Sequence, residues 1–327
     1  MKTLFKILLL ASAAAAAASC AVEKEESPES VQERILKAFV KKYYPDAVRK
    51  PSGMYIIDSI PGTGRTPQDT SYVLVDYTIT YLNGTYNSYT SDSVAKQLGT
   101  FTYSGYYDPR VWSLRDNTPG VIELLTGMRE GGSVKAIVPA TLLDEESGTE
   151  ITEGDGSSKI YEIRLVEVID NINQYQFDQI EDFVAARYPD ITDSTTYGFY
   201  FHKYNTNLLD TVKNNESMQV RYIGRYLNGT VFDTNIEDSA KKYRIYSSGG
   251  SYTTLAYKFL DDSSKAMTEN KFVPGFNKAL YSMNYEEHAV TVFYSGLGYG
   301  DDGSGNVPGF VPLCFELWIE ADEEEDE

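Results

Sequence analysis

Several side chains that carry enzyme chemistry are scarce in this sequence. Its 327 residues include 2 cysteines and 2 histidines, and 29 lysines and arginines stand against 48 aspartates and glutamates. The resulting net charge of -19 argues against nucleic acid and against acidic partners, because phosphate backbones are bound by clustered basic side chains. With His202 and His288 as the whole histidine supply and no nucleophile-elbow motif, a Ser-His-Asp hydrolase is also disfavoured.

Tyrosine, in contrast, is abundant. The chain has 27 tyrosines, 42% hydrophobic residues and 13% aromatic residues. Tyrosine suits half-buried strands, because its ring packs while its hydroxyl reaches a polar partner. A chain of this length and composition buries either one large core or two ordinary ones, and two is the expectation.

Residues 1–19 have the pattern of a targeting segment. Lys2 and Lys6 flank a short apolar run, and a tract of small residues follows. The run is too short to span a membrane. The next residues, AASC from Ala17 to Cys20, resemble the signal of bacterial lipoproteins, although that motif usually has leucine where Ala17 stands. Ordinary signal cleavage nearby is the alternative.

The lipoprotein resemblance implies that Cys20 becomes the lipid-bearing first residue, so that acyl chains alone attach the protein to a membrane. Residues 20–30 are predicted to form a tether. This tether resembles the acidic, lysine-containing stretch of surface-exported lipoproteins in Bacteroides-like bacteria, and it equally fits a plain solvated spacer. The expected location is the cell envelope, as an outer-membrane lipoprotein facing the periplasm or the surface. Cys314 then remains as a single thiol in an apolar run, which is typical of core packing.

The same series of motifs occurs twice. FVKKYYPD at 39–46, DYTITYLNGT at 76–85, PGVIELLTGM at 119–128 and YEIRLVEV at 161–168 recur in the same order as FVAARYPD at 183–190, RYIGRYLNGT at 221–230, PGFNKALYSM at 274–283 and FELWIEAD at 315–322. This period is far longer than that of a solenoid repeat, so it indicates two tandem copies of one domain. The predicted domains are 31–170 and 171–327, the second of which ends in an acidic tail.

Local patterns predict an α+β layout in each copy. An alternating strand runs into an Asn-Gly pair at Asn83 and again at Asn228, which is typical of a β-hairpin. Apolar residues at three-to-four spacing between Pro274 and Met283 predict a helix with one apolar face. The same spacing predicts a short helix before each copy. A sheet crossed by one helix is an α+β arrangement.

A glycine-rich stretch, SGLGYGDDGSGNVPGF from Ser295 to Phe310, suggests a site for a phosphate, a metal ion or an apolar peptide. It lacks the third glycine of the dinucleotide fingerprint and has no basic neighbour, which argues against phosphate. Its aspartates are not spaced as in an EF-hand loop, and the closing glutamate is missing, which argues against calcium. No metal site is therefore expected, and a solvated turn is the remaining alternative to a peptide site.

Three stretches of the second copy resemble FKBP-type peptidyl-prolyl cis-trans isomerase domains, in the family's order. They are VRYIGRYLNGTVFDTN at 220–235, FVPGFNKALYSM at 272–283 and SGLGYGDDGSGNVPGFVPLCFELWIE at 295–320. The first copy is similar to the same family more faintly. The resemblance implies two tandem FKBP-like domains, each an antiparallel curved β-sheet wrapped on one central helix, with the short leading helices outside the family's pattern.

The resemblance also implies a hydrophobic peptide cleft in the second copy. The residues carried over are Tyr222 and Phe232 on its walls, Asp233 as the polar group beside them, Val273 and Phe276 on the floor, Tyr299 over the mouth and Phe315 at the back, with Ile245 or Tyr243 as a further wall. The sequence departs from most active members at Phe276, which stands in place of a tryptophan. It departs again after Met283, where a glycine is missing, and at Gly309, where a second proline is usual.

The first copy lacks most of these cleft residues. YNSY at 86–89 stands where the second copy has VFDT, so both the phenylalanine and the aspartate are missing. Val121 replaces the aromatic floor, and Leu143 stands in the place of Tyr299. We therefore expect no isomerase activity from this copy, which would serve as a spacer or a second binding surface.

Two functions are consistent with these observations. The resemblance implies an isomerase that acts, without cofactor or metal, on proline-containing peptides or assists the folding of exported proteins, through the second copy. The alternative is a non-catalytic FKBP-fold protein that binds a peptide, glycan or protein partner at the cell envelope. An apparent insert at 247–270 enlarges the predicted cleft rim and favours the alternative, whereas the retained wall and mouth residues favour the isomerase.

Overall fold

The computed structural model of the protein describes residues 27–143, 157–189 and 197–321. The leader, Cys20, most of the tether and the acidic tail lie outside these ranges.

The first copy alternates short helices with antiparallel strands. It comprises α1 (Pro28–Tyr43), β1 (Val48–Arg49), β2 (Tyr55–Ile60), β3 (Tyr72–Tyr81), β4 (Tyr86–Tyr89), α2 (Asp92–Leu98), β5 (Arg110–Ser113), α3 (Pro119–Thr126), β6 (Ser133–Val138), the 3-10 turn Ala140–Leu142 and β7 (Lys159–Ile169).

The second copy repeats this order with additions. It comprises α4 (Ile172–Arg187), β8 (Phe199–Lys203), β9 (Ser217–Tyr226), β10 (Val231–Thr234), α5 (Glu237–Lys242), β11 (Leu255–Lys258), α6 (Ser263–Asn270), α7 (Pro274–Tyr281), β12 (His288–Phe293), the 3-10 turn Ser295–Leu297, β13 (Gly303–Ser304), β14 (Val307–Pro308) and β15 (Leu313–Ile319).

The main sheet of each copy is antiparallel, and the two sheets share one strand order. The first runs β1-β2-β6-β7-β3-β4, with β5 also pairing with β3. The second runs β8-β12-β15-β9-β10, with β11 also pairing with β9. Strands β2, β6, β7 and β3 therefore correspond to β8, β12, β15 and β9. The predicted α+β class with antiparallel sheets is confirmed.

The Asn-Gly pairs form the tight turns after β3 and β9. Gly84 has a φ of +86° and Gly229 a φ of +90°, a left-handed backbone that glycine adopts without steric cost. In each turn the glycine N–H donates to the carbonyl of the last strand residue, Tyr81 or Tyr226, at 2.9 Å. These turns return β4 and β10 alongside the long strands that precede them.

Helices cover both faces of each sheet. The central helices α3 and α7 pack on the inner faces, where the larger cores lie. The leading helix α1 covers the outer face of the first sheet, and α4 covers that of the second. The apolar residues that make these outer contacts include Leu36, Val40, Ile137 and Ile160 in the first copy, and Ile180, Val184, Val290 and Cys314 in the second.

Two details differ from the sequence expectations. Helix α1 begins at Pro28, inside the predicted tether, because Ser27 caps it by accepting the Ser30 N–H at 3.3 Å and proline suits the first helical position. Part of the apparent insert, Leu255–Lys258, is strand β11, which pairs with β9 as β5 pairs with β3. The element added between this strand and the central helix is α6.

Within the described residues, no helix is long and apolar enough to cross a membrane. The same part of the chain holds no cluster of three or more histidine, cysteine, aspartate or glutamate side chains suited to bind a metal ion.

Candidate functional site

The floor of the candidate cleft comes from the N-terminal end of α7. Val273 precedes this helix with extended backbone, and Pro274 takes its first position, where a missing N–H is tolerated. Gly275 lies flat against Phe293, since a Cβ there would be 2.4 Å from that ring. The helix thereby approaches the sheet closely and buries Phe276, which is 5% exposed.

Phe276 lies at the centre of a cluster of aromatic rings. Its ring centroid lies 5.0 Å from Phe315, 5.6 Å from Phe272 and 5.9 Å from Tyr222, each edge-to-face. Phe315, on β15, is itself buried and stacks on Phe293 at 5.7 Å. Edge-to-face pairs stabilise one another beyond simple burial. The floor and the back of the cleft are therefore one packed apolar surface.

A β-bulge places Phe232 on the wall. The pairing of β10 with β9 shifts between Val231 and Asp233, which leaves Phe232 as the extra residue. The Phe232 ring meets Phe315 edge-to-face at 5.7 Å. Gly224 of β9 makes this approach possible, since a Cβ there would be 2.8 Å from both the Phe232 and the Phe315 rings.

Tyr222 and Asp233 form a polar edge beside these rings. The Tyr222 hydroxyl donates to Asp233 Oδ2 at 2.7 Å. Burial, followed by the charge of Asp233, raises the pKa of Tyr222, so its phenol stays protonated and remains a donor. The backbone of Tyr222 is held as well, because its N–H donates to Asn235 Oδ1 at 2.9 Å and its carbonyl accepts from Thr234 Oγ1 at 2.6 Å.

Tyr299 belongs to the glycine-rich loop, which is fixed by its own backbone. The Gly300 N–H donates to the Ser295 carbonyl at 2.8 Å, and the Gly303 N–H to the Tyr299 carbonyl at 3.1 Å. Gly303 has a φ of +74°, and a Cβ there would be 2.3 Å from the Val307 carbonyl oxygen, so glycine is required. These constraints fix the backbone from which the Tyr299 side chain projects.

The Tyr299 ring is partly buried against the core that includes the cleft floor. Burial, followed by the negative charge of Asp233, raises the pKa of Tyr299. The Asp233 carboxylate thus acts on both phenols, and Tyr299 keeps its proton for donation at neutral pH.

Most of the residues carried over from the family lie together. Tyr222, Phe232, Val273, Phe276, Tyr299 and Phe315 all belong to or pack against the core of the second copy.

The further wall is placed differently. Ile245 follows α5, partly buried, and donates its N–H to the Ala240 carbonyl at 2.9 Å. The alternative residue, Tyr243, packs under the guanidinium of Arg225 at 5.1 Å. Arg225 alternates along β9 with the core-facing Tyr226, so Tyr243 lies on the outer face of the sheet. The further wall stays a prediction, carried by Ile245 rather than by Tyr243.

The aromatic side chains of residues 247–270 are engaged elsewhere. Tyr257 stacks on Phe272 at 6.4 Å, Phe259 on Tyr281 at 5.2 Å and Tyr252 on Tyr246 at 5.3 Å. Neither Tyr222 nor Asp233 takes part in these three pairings.

The corresponding face of the first copy is built differently. In the sheet, Ile79 pairs with Tyr161 as Gly224 pairs with Phe315. An isoleucine side chain thus stands where a glycine leaves room for the aromatic wall in the second copy. Leu143, the counterpart of Tyr299, is an apolar residue packed against the core of the first copy.

A cavity of about 770 Å³ lies between this face and the second copy. The first copy contributes an aromatic and polar lining that includes Tyr77, Tyr89, Tyr106, Arg110 and Trp112, and the second copy contributes residues 301–309. The glycine-rich loop therefore borders both the candidate cleft and this cavity. It carries Tyr299 at its start, and its tip closes the cavity against the first copy.

Three residues that shape the cleft were missed from sequence. They are Gly224, Asn235 and Phe272. A glycine inside an alternating strand signals the close approach of another group, so Gly224 was detectable. Asn235 and Phe272 carry no local signal, because their roles depend on contacts with β9 and α7 that only the folded chain makes.

Comparison with known proteins supports the sequence resemblance. No protein-family model matches the chain. Human peptidyl-prolyl cis-trans isomerase FKBP9 is 24% identical over 260 residues, which cover 79% of this chain and 36% of that protein, and bovine FKBP9 matches to the same extent. The chain is FKBP-like. Because the match is longer than either copy, it includes parts of both, and the chain spans about a third (36%) of the length of these curated relatives.

Solved structures of FKBP proteins are also similar to the chain. The three FKBP domains of wheat FKBP73 are 14% identical, with a TM-score of 0.28, over 83% of this chain and 95% of that one. FkpA from Escherichia coli is 20% identical, with a TM-score of 0.32, over 51% of this chain and 70% of that one. At such scores these structures contribute nothing to the residue roles, which rest on the geometry above.

Proposed function

We propose that this FKBP-like protein is an active peptidyl-prolyl isomerase. In this proposal the second copy binds X-Pro segments of exported proteins and accelerates their cis-trans isomerisation. The observation that supports it most is the apolar surface of Phe276 and Phe315, bordered by a polar edge at Tyr222 and Asp233. A cleft of this kind receives an apolar proline ring and holds the adjoining amide next to hydrogen-bonding groups.

The chemistry requires no nucleophile. An X-Pro bond crosses a barrier of roughly 18 to 20 kcal/mol because twisting it breaks amide resonance. The twisted amide is less charge-separated than the planar one, so an apolar cleft penalises the ground state more than the transition state. Contacts with the residues that flank the proline then stabilise the twist.

The polar side chains have separate tasks. The Tyr299 hydroxyl, kept neutral by its raised pKa, donates to a carbonyl of the bound peptide and orients it. The hydrogen bond from Tyr222 fixes Asp233 at the edge, where its carboxylate holds polar neighbours in place without exchanging protons. Phe276 and Phe315 exclude water from the amide.

We further propose that the protein works at the cell envelope, attached through a lipid on Cys20. The support is the AASC run and the tether composition, and Cys20 lies outside the described residues. Mass spectrometry of the chain purified from membranes tests this, because acyl groups on Cys20 are expected and an unmodified residue would contradict the anchor.

The activity is tested with a protease-coupled prolyl isomerisation assay on the full chain. We expect acceleration by the wild type and a loss of about fivefold or more in kcat/KM for Tyr299→Phe, which removes one hydrogen bond. Asp233→Ala should lower activity as well, while Asp301→Ala, an exposed carboxylate on the same loop as Tyr299, serves as the control. A folded wild type without acceleration, across several residues before proline, contradicts the proposal.

A second function is favoured by the cavity between the copies. Its size and its aromatic and polar lining suit a non-catalytic site for a peptide, glycan or protein segment. Trp112 lies in this lining, so titration with short peptides and oligosaccharides should change its fluorescence, and Trp112→Phe should remove the change. No response to either ligand class argues against this second site.

A further inference from the structure

One loop of the first copy lies against the second copy. This junction loop, residues 99–109, connects α2 to β5. Its Tyr106 ring meets Tyr226 edge-to-face at 5.0 Å and packs on the core of the second copy. Burial raises the pKa of Tyr106, as expected for a ring enclosed between the two domains. The first copy is thus part of the packing behind the cleft.

Tyr226 connects two sides of that cleft. It is fully buried, and its ring lies 4.9 Å from Phe232, the wall residue. Its hydroxyl donates to the Asn306 carbonyl at 3.1 Å, on the glycine-rich loop that carries Tyr299. Tyr106 therefore packs on a residue that touches both the wall and the loop over the mouth.

Two more contacts of the junction loop reach segments that border the cleft. Arg244 Nη1 donates to the Tyr103 hydroxyl at 2.9 Å, with its guanidinium 5.2 Å from the ring centroid. Asn228 Nδ2, in the turn that joins β9 to β10, donates to Asp108 Oδ2 at 2.7 Å. The hairpin with Phe232 and the segment next to Ile245 are therefore both tied to the first copy.

The backbone of the second copy is left-handed at two of these contacts. Arg244 has a φ of +62° and Phe310 a φ of +60°, which non-glycine residues rarely adopt. Arg244 meets Tyr103, and the Phe310 ring meets Tyr72 of the first copy edge-to-face at 5.5 Å. At Arg244 this backbone ends helix α5, since the following N–H, of Ile245, donates to the Ala240 carbonyl at 2.9 Å, so it is the side-chain contacts that link these segments to the first copy.

We propose that the first copy positions the cleft of the second, and that Tyr106 is the main positioning residue. Tyr106 also lines the cavity between the copies, but it acts on the isomerase cleft through Tyr226 and fixes the spacing between the Phe232 wall and the Tyr299 loop. Because protein interiors are close-packed, truncating Tyr106 leaves a void into which Tyr226 shifts, and the wall follows. The effect on turnover rests on the proposed isomerase function, whereas the effect on cleft geometry does not.

The test compares full-chain variants by two readouts. Ring resonances of Phe232 and Tyr299 in aromatic-labelled protein report cleft geometry, and kcat/KM reports turnover. We expect Tyr106→Ala to move both resonances and to lower kcat/KM about tenfold, mainly through KM, because small displacements of binding groups reduce productive geometry. Tyr106→Phe, which keeps the ring, should behave as wild type. Tyr86→Ala, at a ring that packs on Tyr89 within the first copy, is the matched control.

Each outcome decides the inference. The inference is overturned if the Phe232 and Tyr299 resonances do not move in Tyr106→Ala, or if Tyr86→Ala moves them as much. It is also overturned if the resonances move in an active enzyme while kcat/KM stays unchanged. If the wild type shows no turnover, the isomerase proposal fails, and moved resonances alone still support positioning of a binding cleft. If Tyr106→Ala does not fold, Tyr103→Ala replaces it, because Tyr103 is 49% exposed and its truncation leaves the core intact. For this variant we expect a roughly twofold loss in kcat/KM and shifts of the same two resonances.

Discussion

Gly224 provides the sharpest test of the cleft geometry, through the substitution Gly224→Ala. The new Cβ would lie 2.8 Å from Phe232 Cζ and from Phe315 Cε1. Ordinary carbon contacts are about 3.5 Å or longer, so the rings must separate from it by roughly 0.7 Å. Phe315 is 5% exposed and enclosed by Phe276 and Phe293, so the half-buried Phe232 is the ring expected to move.

The expected magnitude follows from two opposing terms. Overpacking a core costs about 1 to 3 kcal/mol. Replacing a strand glycine with alanine recovers about 0.5 to 1 kcal/mol of chain entropy. We therefore expect the free energy of unfolding of the second copy to fall by about 1 kcal/mol, within a range of roughly 0 to 2.5 kcal/mol, and kcat/KM to fall because the Phe232 wall is displaced.

Urea denaturation followed by tryptophan fluorescence measures the stability, and the prolyl isomerisation assay measures the activity. Gly249→Ala is the control, since no heavy atom lies within 4 Å of a Cβ at that position and its φ is not in the left-handed region. It should change stability by less than about 0.5 kcal/mol. A Gly224→Ala chain as stable as the control, with unchanged activity, would refute the packing of Phe232 and Phe315 on this glycine.

Three further predictions concern the second copy. Cys314 is buried, and burial raises its pKa to about 12, so iodoacetamide should leave it unmodified in the folded chain and label it after unfolding in urea. Mass spectrometry of the Cys314 peptide measures the labelling, and rapid labelling of the folded chain would contradict the burial. Lys203→Met leaves the Glu287 carboxylate without the cation 2.9 Å away and should cost about 3 kcal/mol of unfolding free energy. Lys213→Met, at a side chain 80% exposed, should cost less than about 0.5 kcal/mol, and equal urea midpoints for the two variants would count against a buried ion pair. Burial raises the pKa of Tyr226 from 10.0 to about 12, so its contribution to stability is complete below pH 10 and is lost as the pH rises towards 12. The urea midpoint should therefore fall more steeply between pH 10 and 12 in the wild type than in Tyr226→Phe, and an equal fall in both proteins would argue against the raised pKa.

The sequence was sufficient for the features that neighbouring residues encode. An Asn-Gly pair sets its own turn through a left-handed glycine, which is why the hairpins at Gly84 and Gly229 were predictable. A proline at the first helical position, followed by apolar residues at helical spacing, located the central helix that begins at Pro274. The duplicated series of motifs and the FKBP resemblance were equally readable, because both are properties of residue order.

Contacts between distant residues were not readable in this way. The sequence offered Tyr243 and Ile245 as equivalent walls, but the register of β9 puts Arg225 on the outer face and takes Tyr243 with it. The residues at 247–270 looked like an insert over the cleft, although part of them is a strand of the sheet. In both cases the deciding fact is which face of a strand a side chain occupies, and a one-residue shift of register reverses it.

By itself, then, the sequence determined a duplicated α+β chain, since turn chemistry and periodicity act over a few neighbouring residues. Its resemblance to FKBP domains implied an aromatic cleft in the second half. Only the tertiary structure decided that Gly224 admits two aromatic rings at the cleft wall and that Tyr106 of the first copy packs behind it. Those decisions depend on the pairing of Gly224 with Phe315 and on the contact of Tyr106 with Tyr226, and no local pattern in the chain specifies how such distant residues meet.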